Sequence, residues 1–417
     1  MTQILRIAVL VDLPRDHTAG GQVKYWERLA QACVKENPQL DMTVYFSGCR
    51  AEEILSPRVR IRTLPPVFST ARLKFLPYVP AHTDLAPFHR QLAQELPQYD
   101  VLHTTDGYFA FARTAERIAR DRGIPLVSSF HTDTPAYAEL FTQQTLQILF
   151  GKRLGSRIDS SFHISRGQRR SKEARLKTHL RACSAVFATR PEDRALAQQA
   201  VPLNKILPVH KGVNKNLFAP NPDARNQVEA EYGIANGKFL ILFVGRVDEG
   251  KNARLLMEAC VQALQQGVNL HLIVVGIGPL SGEIKAVLKD DVTLTGLLPA
   301  EKLAKLYAAA DCLASVSDIE IGGLIGAEAI ACGCPVLASK VSGVVSFYGN
   351  PPAMEEIERG VLSWADAFAS LARDSAKQSA MREGALAFRE ERLDTWEDVL
   401  MRDFLPVWQR VAKKGKP

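Results

Sequence analysis

Two glutamates, Glu320 and Glu328, lie eight residues apart in the segment SDIEIGGLIGAEAIACGCPVLAS of this 417-residue chain. Paired carboxylates are the groups that glycoside hydrolases use, and those carboxylates face one bond across about 5–9.5 Å. Eight residues of helix span about 12 Å, so the spacing favours two glutamates that bind different parts of one elongated ligand. The alternative is a solvated loop glutamate beside a helix glutamate that pairs with an arginine.

The residues around this pair predict which local structure carries each glutamate. A glycine pair precedes an apolar helix predicted over residues 324–332, and a Gly-Cys-Pro turn separates that helix from a short apolar strand. Glu320 therefore lies on the loop before the helix, while Glu328 lies inside it among alanine and isoleucine. Because burial of an unpaired carboxylate is costly, we expect a hydrogen-bond donor beside Glu328.

A second candidate site follows an apolar strand, in the segment GRVDEGKN that begins at Gly245. The segment is close to a P-loop, but Asn252 stands where Ser or Thr would hold a magnesium ion. The better interpretation is a diphosphate site, because a helix N-terminus with Arg246 and Lys251 beside it can neutralise a pyrophosphate without a metal. The next strand ends in GIGP, which lacks the third glycine of a dinucleotide fingerprint and predicts a strand-to-helix turn.

Two strand ends in the N-terminal half supply further candidates. Gly20 and Gly21 lie in the first strand-to-helix loop, where glycine permits a close backbone approach to a ligand or simply forms the turn. His131, in the segment SSFHTDTP, ends a strand and begins a polar loop. Such a histidine is either structural or part of a binding loop, and the residues alone leave both interpretations open.

Charge is unevenly distributed along the chain. Residues 1–220 carry 31 Lys and Arg against 19 Asp and Glu, whereas residues 221–417 carry 21 against 26. Ten of the basic residues and only two acidic ones fall within residues 152–181. Such a run predicts an anionic partner, such as a membrane surface or a phosphorylated substrate, or else a solvated helix. Nucleic acid is disfavoured because no RNA-binding motif or set of stacking aromatic residues accompanies the run.

Length and composition predict a globular protein with two domains. The length exceeds what one hydrophobic core usually serves, and no apolar run approaches the roughly 18 residues of a membrane span. Seven scattered cysteines without metal-site spacing predict reduced thiols and no bound metal. Because the N-terminus lacks a signal-peptide pattern, we expect a cytoplasmic protein.

Strands, glycine-containing loops and helices alternate in both halves, which predicts α/β domains with parallel, doubly wound sheets of the Rossmann-like type. The predicted domains span residues 1–215 and 220–394, joined by a segment rich in Pro and Asn that follows Val213. The amphipathic C-terminal segment, residues 395–417, is predicted to pack back on the N-terminal domain. Its expected aromatic anchors are Trp396, Phe404 and Trp408. In such sheets ligands bind outside the carboxyl ends of the strands.

In combination these segments resemble the retaining nucleotide-sugar glycosyltransferases of family 4 (group 1), which have the GT-B fold. The resemblance is carried by FVGRVDEGKN, VVGIGP, VTLTGLLP and the glutamate segment, and upstream by HKGVNKNLFAP, DVLHTTDGYF and SSFHTDTP. It covers most of residues 1–345. The resemblance implies two Rossmann-like domains facing across a cleft, with the acceptor on the N-terminal domain and the donor on the C-terminal domain. It also implies metal-independent transfer that retains the configuration of the donor sugar.

The resemblance assigns roles to the residues already singled out. Glu328 would bind the ribose hydroxyls of the donor, and Glu320 would bind the hydroxyls of its sugar. Arg246 and Lys251 would hold the diphosphate, and His131 would contact the sugar near its anomeric carbon. The remaining donor contacts implied by the resemblance lie at Gly20, Gly21, Gly245, Gly296, Leu297, Gly323 and Leu324.

The partners implied are a UDP- or GDP-sugar as donor and a glycan or lipid-linked acceptor, with no cofactor. The basic run adds the expectation of peripheral association with the anionic inner face of a membrane. Acceptor or membrane contacts are predicted at Asp133, Arg169, Arg170 and Lys172.

Three departures from the family pattern keep other functions open. Gly322 stands where an aromatic residue usually follows the first glutamate, Asn214 replaces an aspartate, and the stretch after Ser339 lacks the usual glycine-rich loop. The alternatives are an epimerase or phosphorylase of the same fold, and a non-catalytic protein that binds sugar nucleotides.

Overall fold

The structure, a computed structural model, describes residues 4–15, 21–36, 39–70, 84–131, 133–318, 323–342 and 344–414. Contacts within the chain separate it into two compact units. The first unit contains residues 1–210 and 396–417, and the second contains residues 211–395. Each unit is built on a sheet of mainly parallel strands with helices between them, which confirms the predicted α/β class.

The sheet of the first unit contains eight strands among the described residues. They are β1 (Leu5–Pro14), β2 (Leu40–Ser47), β3 (Ala51–Ser56), β4 (Val59–Leu64), β5 (Val101–Thr104), β6 (Leu126–Ser129), β7 (Ala185–Phe187) and β8 (Ile206–Leu207). Their order in space is β3-β4-β2-β1-β5-β6-β7-β8. Neighbours pair in parallel except β3 and β4, because only Pro57 and Arg58 join these two and so short a connection permits antiparallel pairing alone. This edge strand is the exception to the parallel arrangement that the sequence predicts.

Helices fill the connections between these strands. They are α1 (Gly21–Glu36), α2 (Arg90–Glu95), α3 (Ala110–Arg122), α4 (Thr134–Phe150), α5 (Lys152–Phe162), α6 (Ile164–Arg181) and α7 (Pro191–Gln198), with 3₁₀ turns at Leu96–Gln98 and Leu203–Lys205. Strand β1 is fully buried from Ile7 to Val11, as expected for a parallel strand covered on both faces. Between β6 and β7, where one crossover helix would suffice, the chain forms three helices that pack on one another.

The second unit contains a sheet of six described strands, all parallel. They are β9 (Phe239–Val244), β10 (Leu270–Val275), β11 (Val292–Gly296), β12 (Cys312–Ser315), β13 (Val336–Ser339) and β14 (Met354–Ile357). Their order is β11-β10-β9-β12-β13-β14, so the direction of winding reverses between β9 and β12. Alternate residues of β9 enter two different cores, Phe239 and Ile241 on one face and Leu240 and Leu242 on the other. Ligands bind such sheets at the reversal, outside the carboxyl ends of the strands.

The helices of the second unit flank this sheet. They are α8 (Ala224–Tyr232), α9 (Ala253–Gln265), α10 (Ser281–Leu288), α11 (Ala300–Ala309), α12 (Leu324–Ala331), α13 (Val344–Phe347), α14 (Val361–Arg373) and α15 (Ser375–Glu391), with 3₁₀ turns at Glu249–Lys251, Lys289–Asp291 and Lys340–Ser342.

The segment predicted as a linker after Val213 belongs to this unit. Val213 donates its N–H to the Asp394 carbonyl at 2.9 Å, and Phe218 is buried in the core beside Tyr307. By contacts within the chain, the division between the units lies between residues 210 and 211.

The C-terminal segment returns to the first unit as α16 (Trp396–Asp398), a π-helical turn (Val399–Phe404) and α17 (Leu405–Lys414). Phe404 is fully buried, with its ring centroid 4.8 Å from that of Phe187 and 5.3 Å from that of Trp26. Asp403 accepts two hydrogen bonds from His210, from the backbone N–H at 2.8 Å and from Nδ1 at 3.0 Å. These contacts anchor the segment in the unit that contains β1.

A buried carboxylate, that of Asp12, lies near the end of β1. Asp12 is 1% exposed; its Oδ2 accepts the Phe111 N–H at 2.9 Å, and its Oδ1 has no hydrogen-bond partner among the described residues. Burial, and then the nearby Asp106 and Asp84 carboxylates, raise the pKa of Asp12 well above its usual value. The protonated form therefore suits the folded state better than the ionised form does.

We expect Asp12→Asn to raise the free energy of unfolding at neutral pH by about 1–3 kcal/mol, because the amide keeps the Phe111 bond without a buried charge. A raised folded-state pKa means that Asp12 stabilises the fold below its unfolded pKa of about 4 and loses that contribution as the pH rises through the folded value. The gain in the variant should thus grow across that window. Denaturant unfolding at several pH values measures it, and a gain that is constant with pH contradicts the assignment.

Candidate functional site

The loop after β9 lies at the point where the second sheet reverses its winding. Asp248 organises this loop: its Oδ1 accepts the Lys251 N–H at 3.0 Å, and its Oδ2 lies 3.2 Å from Nε of Arg246. The Arg246 side chain is 53% exposed, so its guanidinium is accessible to a ligand at the strand end. Two predicted phosphate-binding cations are thereby placed on one short loop before α9. Asp248, which holds both, was not singled out from the sequence, although Asp three residues before Lys is a helix-capping spacing.

Asn252, the residue that departs from the P-loop pattern, has a structural role. Its φ of 53° is left-handed, a conformation that asparagine tolerates better than serine or threonine. Its Nδ2 donates to the Val316 carbonyl at 2.9 Å, just beyond the end of β12. Asn252 therefore ties the loop after β9 to the loop after β12, on both sides of the reversal. An amide used in this way does not replace the hydroxyl that a P-loop offers to magnesium.

The strand-to-helix turn GIGP packs directly against this loop. An ideal Cβ on Gly276 would stand 1.9 Å from the Gly245 carbonyl oxygen, and one on Gly278 would stand 2.2 Å from the Val247 carbonyl oxygen. The backbone of Val247 donates to the Ile277 carbonyl at 3.0 Å. The glycines are therefore required by the close approach of two backbones, which is a packing role and supports the interpretation as a turn.

Gly296, at the end of β11, lies beside the GIGP turn. Its carbonyl accepts the Gly276 N–H at 2.8 Å, and its φ of 69° turns the chain outward. Leu297 follows and is 45% exposed. An exposed leucine can pack against a flat aromatic ring, and the contact of Gly296 and Leu297 with a nucleobase stays a prediction.

Glu328 is buried in α12, with only 4% of its surface exposed. The Tyr307 hydroxyl, on α11, donates to its Oε2 at 3.2 Å, which confirms the expected donor. Burial, and then the Glu328 carboxylate, raise the pKa of Tyr307 well above its usual value, so the phenol keeps its proton. Gly323 and Leu324 begin the helix that carries this glutamate.

Glu320 and Gly322 lie outside the described residues, and the structure tests no geometry for them. The residues on either side of that gap are held in place. Asp318 accepts a hydrogen bond from the Ser339 hydroxyl at 2.7 Å and lies 3.4 Å from Nε of Arg359. Asp318, the last described residue before that gap, is thus held by side chains from two other parts of the second unit.

The stretch after Ser339, which departs from the family pattern, supports α12. The Tyr348 hydroxyl donates to the Gly323 carbonyl at 3.1 Å, and Val344, Tyr348 and Met354 surround the position where a Cβ on Gly326 would stand. This stretch therefore positions the start of the glutamate helix by packing and by one hydrogen bond. Neither contact was foreseen from the sequence, because both depend on how α13 folds back.

Removal of the Tyr348 hydroxyl tests this support. We expect Tyr348→Phe to weaken binding of the nucleotide-sugar donor by about two- to tenfold, because a typical hydrogen bond contributes about 0.5–1.5 kcal/mol. Calorimetric titration gives the dissociation constant. Tyr232→Phe on α8 is the matched control, since it removes the same hydroxyl from another helix of this unit; equal affinity in the two variants would contradict the role.

In the first unit, β6 ends in Ser129, and His131 follows it with 9% exposure. The His131 Nε2 lies 2.7 Å from the Ser129 Oγ, and its ring packs edge-on against Tyr25 at 4.9 Å and Trp26 at 5.7 Å. Gly21 is the first residue of α1, and Gly20 lies outside the described residues. These contacts give His131 a structural role, and its part in a binding loop stays a prediction.

Two arginines of the basic run, Arg169 and Arg175, form ion pairs within the described part of α6. Arg169 pairs with Glu139 at 3.1 Å and with Glu173 at 3.0 Å. Lys172 lies over the rings of Tyr108 and Phe109, and burial, together with Arg113, lowers its pKa. Of the four predicted acceptor or membrane contacts, Arg170 is exposed, whereas Asp133 caps α4 by accepting the Ala136 N–H at 2.9 Å.

None of the described helices has the length and apolarity that crossing a bilayer requires. Within the same described ranges, no three His, Cys, Asp or Glu side chains come together as a metal site.

Two family models match the chain along most of its length. The model of glycosyltransferase family 4 matches residues 19–217, and the model of glycosyl transferases group 1 matches residues 224–386. The matches coincide with the first and second units, and they include His131 in one and Arg246, Lys251 and Glu328 in the other.

Individual proteins are similar over comparable lengths. D-inositol 3-phosphate glycosyltransferase 1 of Catenulispora acidiphila is 29% identical over 314 residues, which are 69% of this chain and 67% of that protein. D-inositol 3-phosphate glycosyltransferase of Arthrobacter sp. is 26% identical over 411 residues, which are 92% of this chain and 91% of that protein. The crystal structure of Anabaena HepE in complex with UDP and glucose aligns with a TM-score of 0.64 and 17% identity, over 98% of this chain and 99% of that one. The chain therefore belongs to the group 1, family 4 glycosyltransferases and has the GT-B fold.

Proposed function

We propose that this glycosyltransferase moves a sugar from a nucleoside-diphosphate donor to a hydroxyl acceptor, without a metal and with retention of the donor configuration. The observation that carries the proposal is the placement of Arg246 and Lys251 on one loop, tied through Asn252 to the strand that leads to Glu320. Two cations at a helix start stabilise the charge that develops on a departing diphosphate. An epimerase, a phosphorylase or a binding protein of the same fold would use the same groups, and the products of the assay below distinguish these activities from transfer.

The donor is proposed to lie along the carboxyl ends of β11, β9 and β12. In this arrangement the base lies against Gly296 and Leu297, Glu328 binds the ribose hydroxyls, and Arg246 with Lys251 and the Gly245 backbone holds the diphosphate. Glu320, with the backbone of Gly323 and Leu324, holds the sugar, and His131 contacts the sugar near its anomeric carbon. UDP is the favoured nucleotide because the Anabaena structure contains it, and GDP is the alternative.

The acceptor is proposed to be a polyol phosphate or a glycan. D-inositol 3-phosphate glycosyltransferases are the relatives from Catenulispora and Arthrobacter, and a phosphorylated acceptor suits the excess of basic residues in the first 220 residues. A lipid-linked acceptor remains an alternative for the same reason, because its phosphate presents the same charge.

A transfer assay tests the proposal. UDP- and GDP-sugars are incubated with inositol 3-phosphate, with glycans and with a lipid-linked acceptor, and products are identified by mass and by the proton coupling at the anomeric carbon. We expect a product that keeps the anomeric configuration of the donor sugar, and we expect a chelator to leave the rate of transfer unchanged. Epimerised or phosphorolysed sugar without acceptor identifies the related activities of the same fold, and tight nucleotide binding without turnover identifies a binding protein.

Peripheral membrane association is proposed to involve a surface that the basic run alone does not reveal. Four large apolar side chains near the junction of α4 and α5 are exposed, as is a fifth at the last residue of α5, and three cations of α5 pair with no described acidic residue. The apolar residues are Ile148, Leu149, Phe150, Leu154 and Phe162, and the cations are Lys152, Arg153 and Arg157. An interfacial helix inserts apolar side chains into the membrane, and its cations contact the anionic lipid headgroups. The exposed residues of this surface have both features.

Flotation with vesicles measures this association. We expect binding to phosphatidylglycerol vesicles that weakens with salt, and we expect Phe162→Ser to weaken it about tenfold or more, because burial of a phenylalanine contributes about 1.5–3 kcal/mol. Ile54→Ser is the matched control, since Ile54 on the edge strand β3 is 73% exposed and Phe162 is 74% exposed. Equal binding to neutral phosphatidylcholine vesicles, or equal loss in both variants, contradicts the proposed surface.

A further inference from the structure

A continuous chain of hydrogen bonds runs through the first unit from the C-terminal helix to His131. The Trp408 Nε1 donates to the His103 Nδ1 at 3.1 Å, the His103 Nε2 lies 2.9 Å from the Ser129 Oγ, and that Oγ lies 2.7 Å from the His131 Nε2. The first three side chains are at most 2% exposed. Trp408 and His103, which are 305 positions apart in sequence, are thus hydrogen-bonded to each other inside the core.

The chemistry of the groups fixes the direction of the first two bonds in this series. An indole N–H can only donate, so the His103 Nδ1 must accept. Burial lowers the pKa of His103 to about 3, so the ring is neutral and its one proton is on Nε2. The His103 Nε2 therefore donates to the Ser129 Oγ, and the Ser129 hydroxyl proton is left to be donated elsewhere. If that proton goes to the Nε2 of His131, a neutral His131 carries its own proton on Nδ1.

We propose that Trp408, His103 and Ser129 are positioning residues that hold His131 in the tautomer with Nε2 unprotonated and Nδ1 protonated. The rings of Tyr25 and Trp26 pack on His131 and restrict its rotation, so that a flip which exchanges the two nitrogens loses the Ser129 bond and these contacts together. In this tautomer the second ring nitrogen of His131 is a hydrogen-bond donor, not an acceptor, so the groups that suit it are oxygen acceptors such as hydroxyl or phosphate oxygens.

The consequence for catalysis rests on the proposed function, in which His131 contacts the donor sugar. The proposal also gives the C-terminal segment a function beyond packing, because Trp408 donates the first hydrogen bond in the series that ends at His131. Loss of an outer hydrogen-bonding partner of a functional histidine costs about 10–100-fold in activity or affinity where it has been measured at metal sites. An effect of about tenfold is the expectation here.

The test uses the full-length protein with ¹⁵N-labelled histidine. Long-range ¹H–¹⁵N spectra distinguish a protonated from an unprotonated ring nitrogen, and the chain has nine histidines to assign. We expect His103 to carry its proton on Nε2 and His131 on Nδ1. In Trp408→Phe the His103 Nδ1 loses its donor, and both histidines should become mixtures of tautomers. Wild-type His131 with its proton on Nε2, or a His131 spectrum unchanged by Trp408→Phe, overturns the proposal.

Two matched variants separate positioning from packing. Trp396→Phe removes the same atoms from a buried tryptophan of the same segment, whose Nε1 has no hydrogen-bond partner in the part of the chain that the structure describes. The histidine spectrum and the kcat of this variant should therefore stay near those of wild type. Trp408→Phe should lower kcat about tenfold with little change in donor KM. If kcat is equal in the two variants, the proposed contribution of Trp408 to catalysis is wrong.

Substitutions at Ser129 provide the second arm of the test, independent of the tryptophan. Ser129→Ala should release His131 from its single tautomer and lower kcat, whereas Ser129→Thr, which keeps the hydroxyl, should restore both. Failure of the threonine variant to restore the spectrum overturns the chain of bonds. If the expected tautomers are found in a protein that transfers no sugar from any donor, the proposed function is wrong while the assignment of the tautomers stands.

Discussion

Arg246→Ala is expected to lower kcat for sugar transfer by at least about a hundredfold and to leave folding intact. Removal of one preorganised group that stabilises developing negative charge costs about 10²–10³ in kcat, and Arg246 is the group that Asp248 aims at the strand end. Stability should hardly change, because the side chain is half exposed and exposed ion pairs contribute at most about 1 kcal/mol. Lys251→Ala should have an effect of similar size.

Arg254→Ala is the control for this prediction. Arg254 lies in the first turn of α9, close in sequence to both proposed phosphate ligands, but it pairs with Glu249 at 2.8 Å and also with Glu283. Its loss alters net charge by the same amount without removing a proposed phosphate contact. Steady-state kinetics and thermal unfolding of the three variants give the comparison. A loss of kcat as large in Arg254→Ala as in Arg246→Ala would falsify a specific role for the loop.

Glu328→Gln is expected to weaken binding of the nucleotide by about 10–100-fold. Hydrogen bonds to a charged group contribute about 1.5–3 kcal/mol, and glutamine keeps the size of the side chain and the acceptor for Tyr307 while losing the charge. The fold should survive, since the substitution leaves no cavity in α12. Calorimetric titration of the nucleotide measures the change in affinity.

The ribose itself supplies a sharper form of the same experiment. If Glu328 binds the ribose hydroxyls, wild-type protein should bind the 2′-deoxy nucleotide more weakly than the ribonucleotide, and Glu328→Gln should lose most of that discrimination. The double-mutant cycle isolates the contact from general effects on stability. Discrimination that is equally strong in the variant assigns the hydroxyls to another residue.

Local patterns were sufficient wherever a residue's surroundings follow from its neighbours in sequence. The helix of Glu328 is predicted over 324–332 and observed over Leu324–Ala331, because glycine, small apolar residues and a Gly-Cys-Pro turn define it locally. The buried Glu328 requires a donor on physical grounds alone. That the donor is Tyr307 could not be predicted, because this tyrosine lies on another helix that only packing brings near.

Long-range contacts account for what the sequence did not disclose. Phe218 sits in a stretch rich in Pro and Asn that is typical of a linker, yet its ring is buried in the second unit. Tyr348 comes from the segment that departs from the family pattern, and it supports Gly323 only because α13 folds back. In each case composition describes the local chain, whereas the partner lies 25 or more residues away.

The sequence by itself determined the class of fold, the family, and the chemical types at the site: two cations on a glycine loop, two glutamates around a helix start, and a histidine at a strand end. These depend on residue type and short spacing, which local physical chemistry constrains. Only the tertiary structure decided which groups orient them. The bonds from Asn252 to Val316, from Tyr307 to Glu328 and from Trp408 to His103 are hydrogen bonds between elements. Such bonds exist only once the sheets have brought distant residues together, because a buried donor must find an acceptor wherever the packing places one.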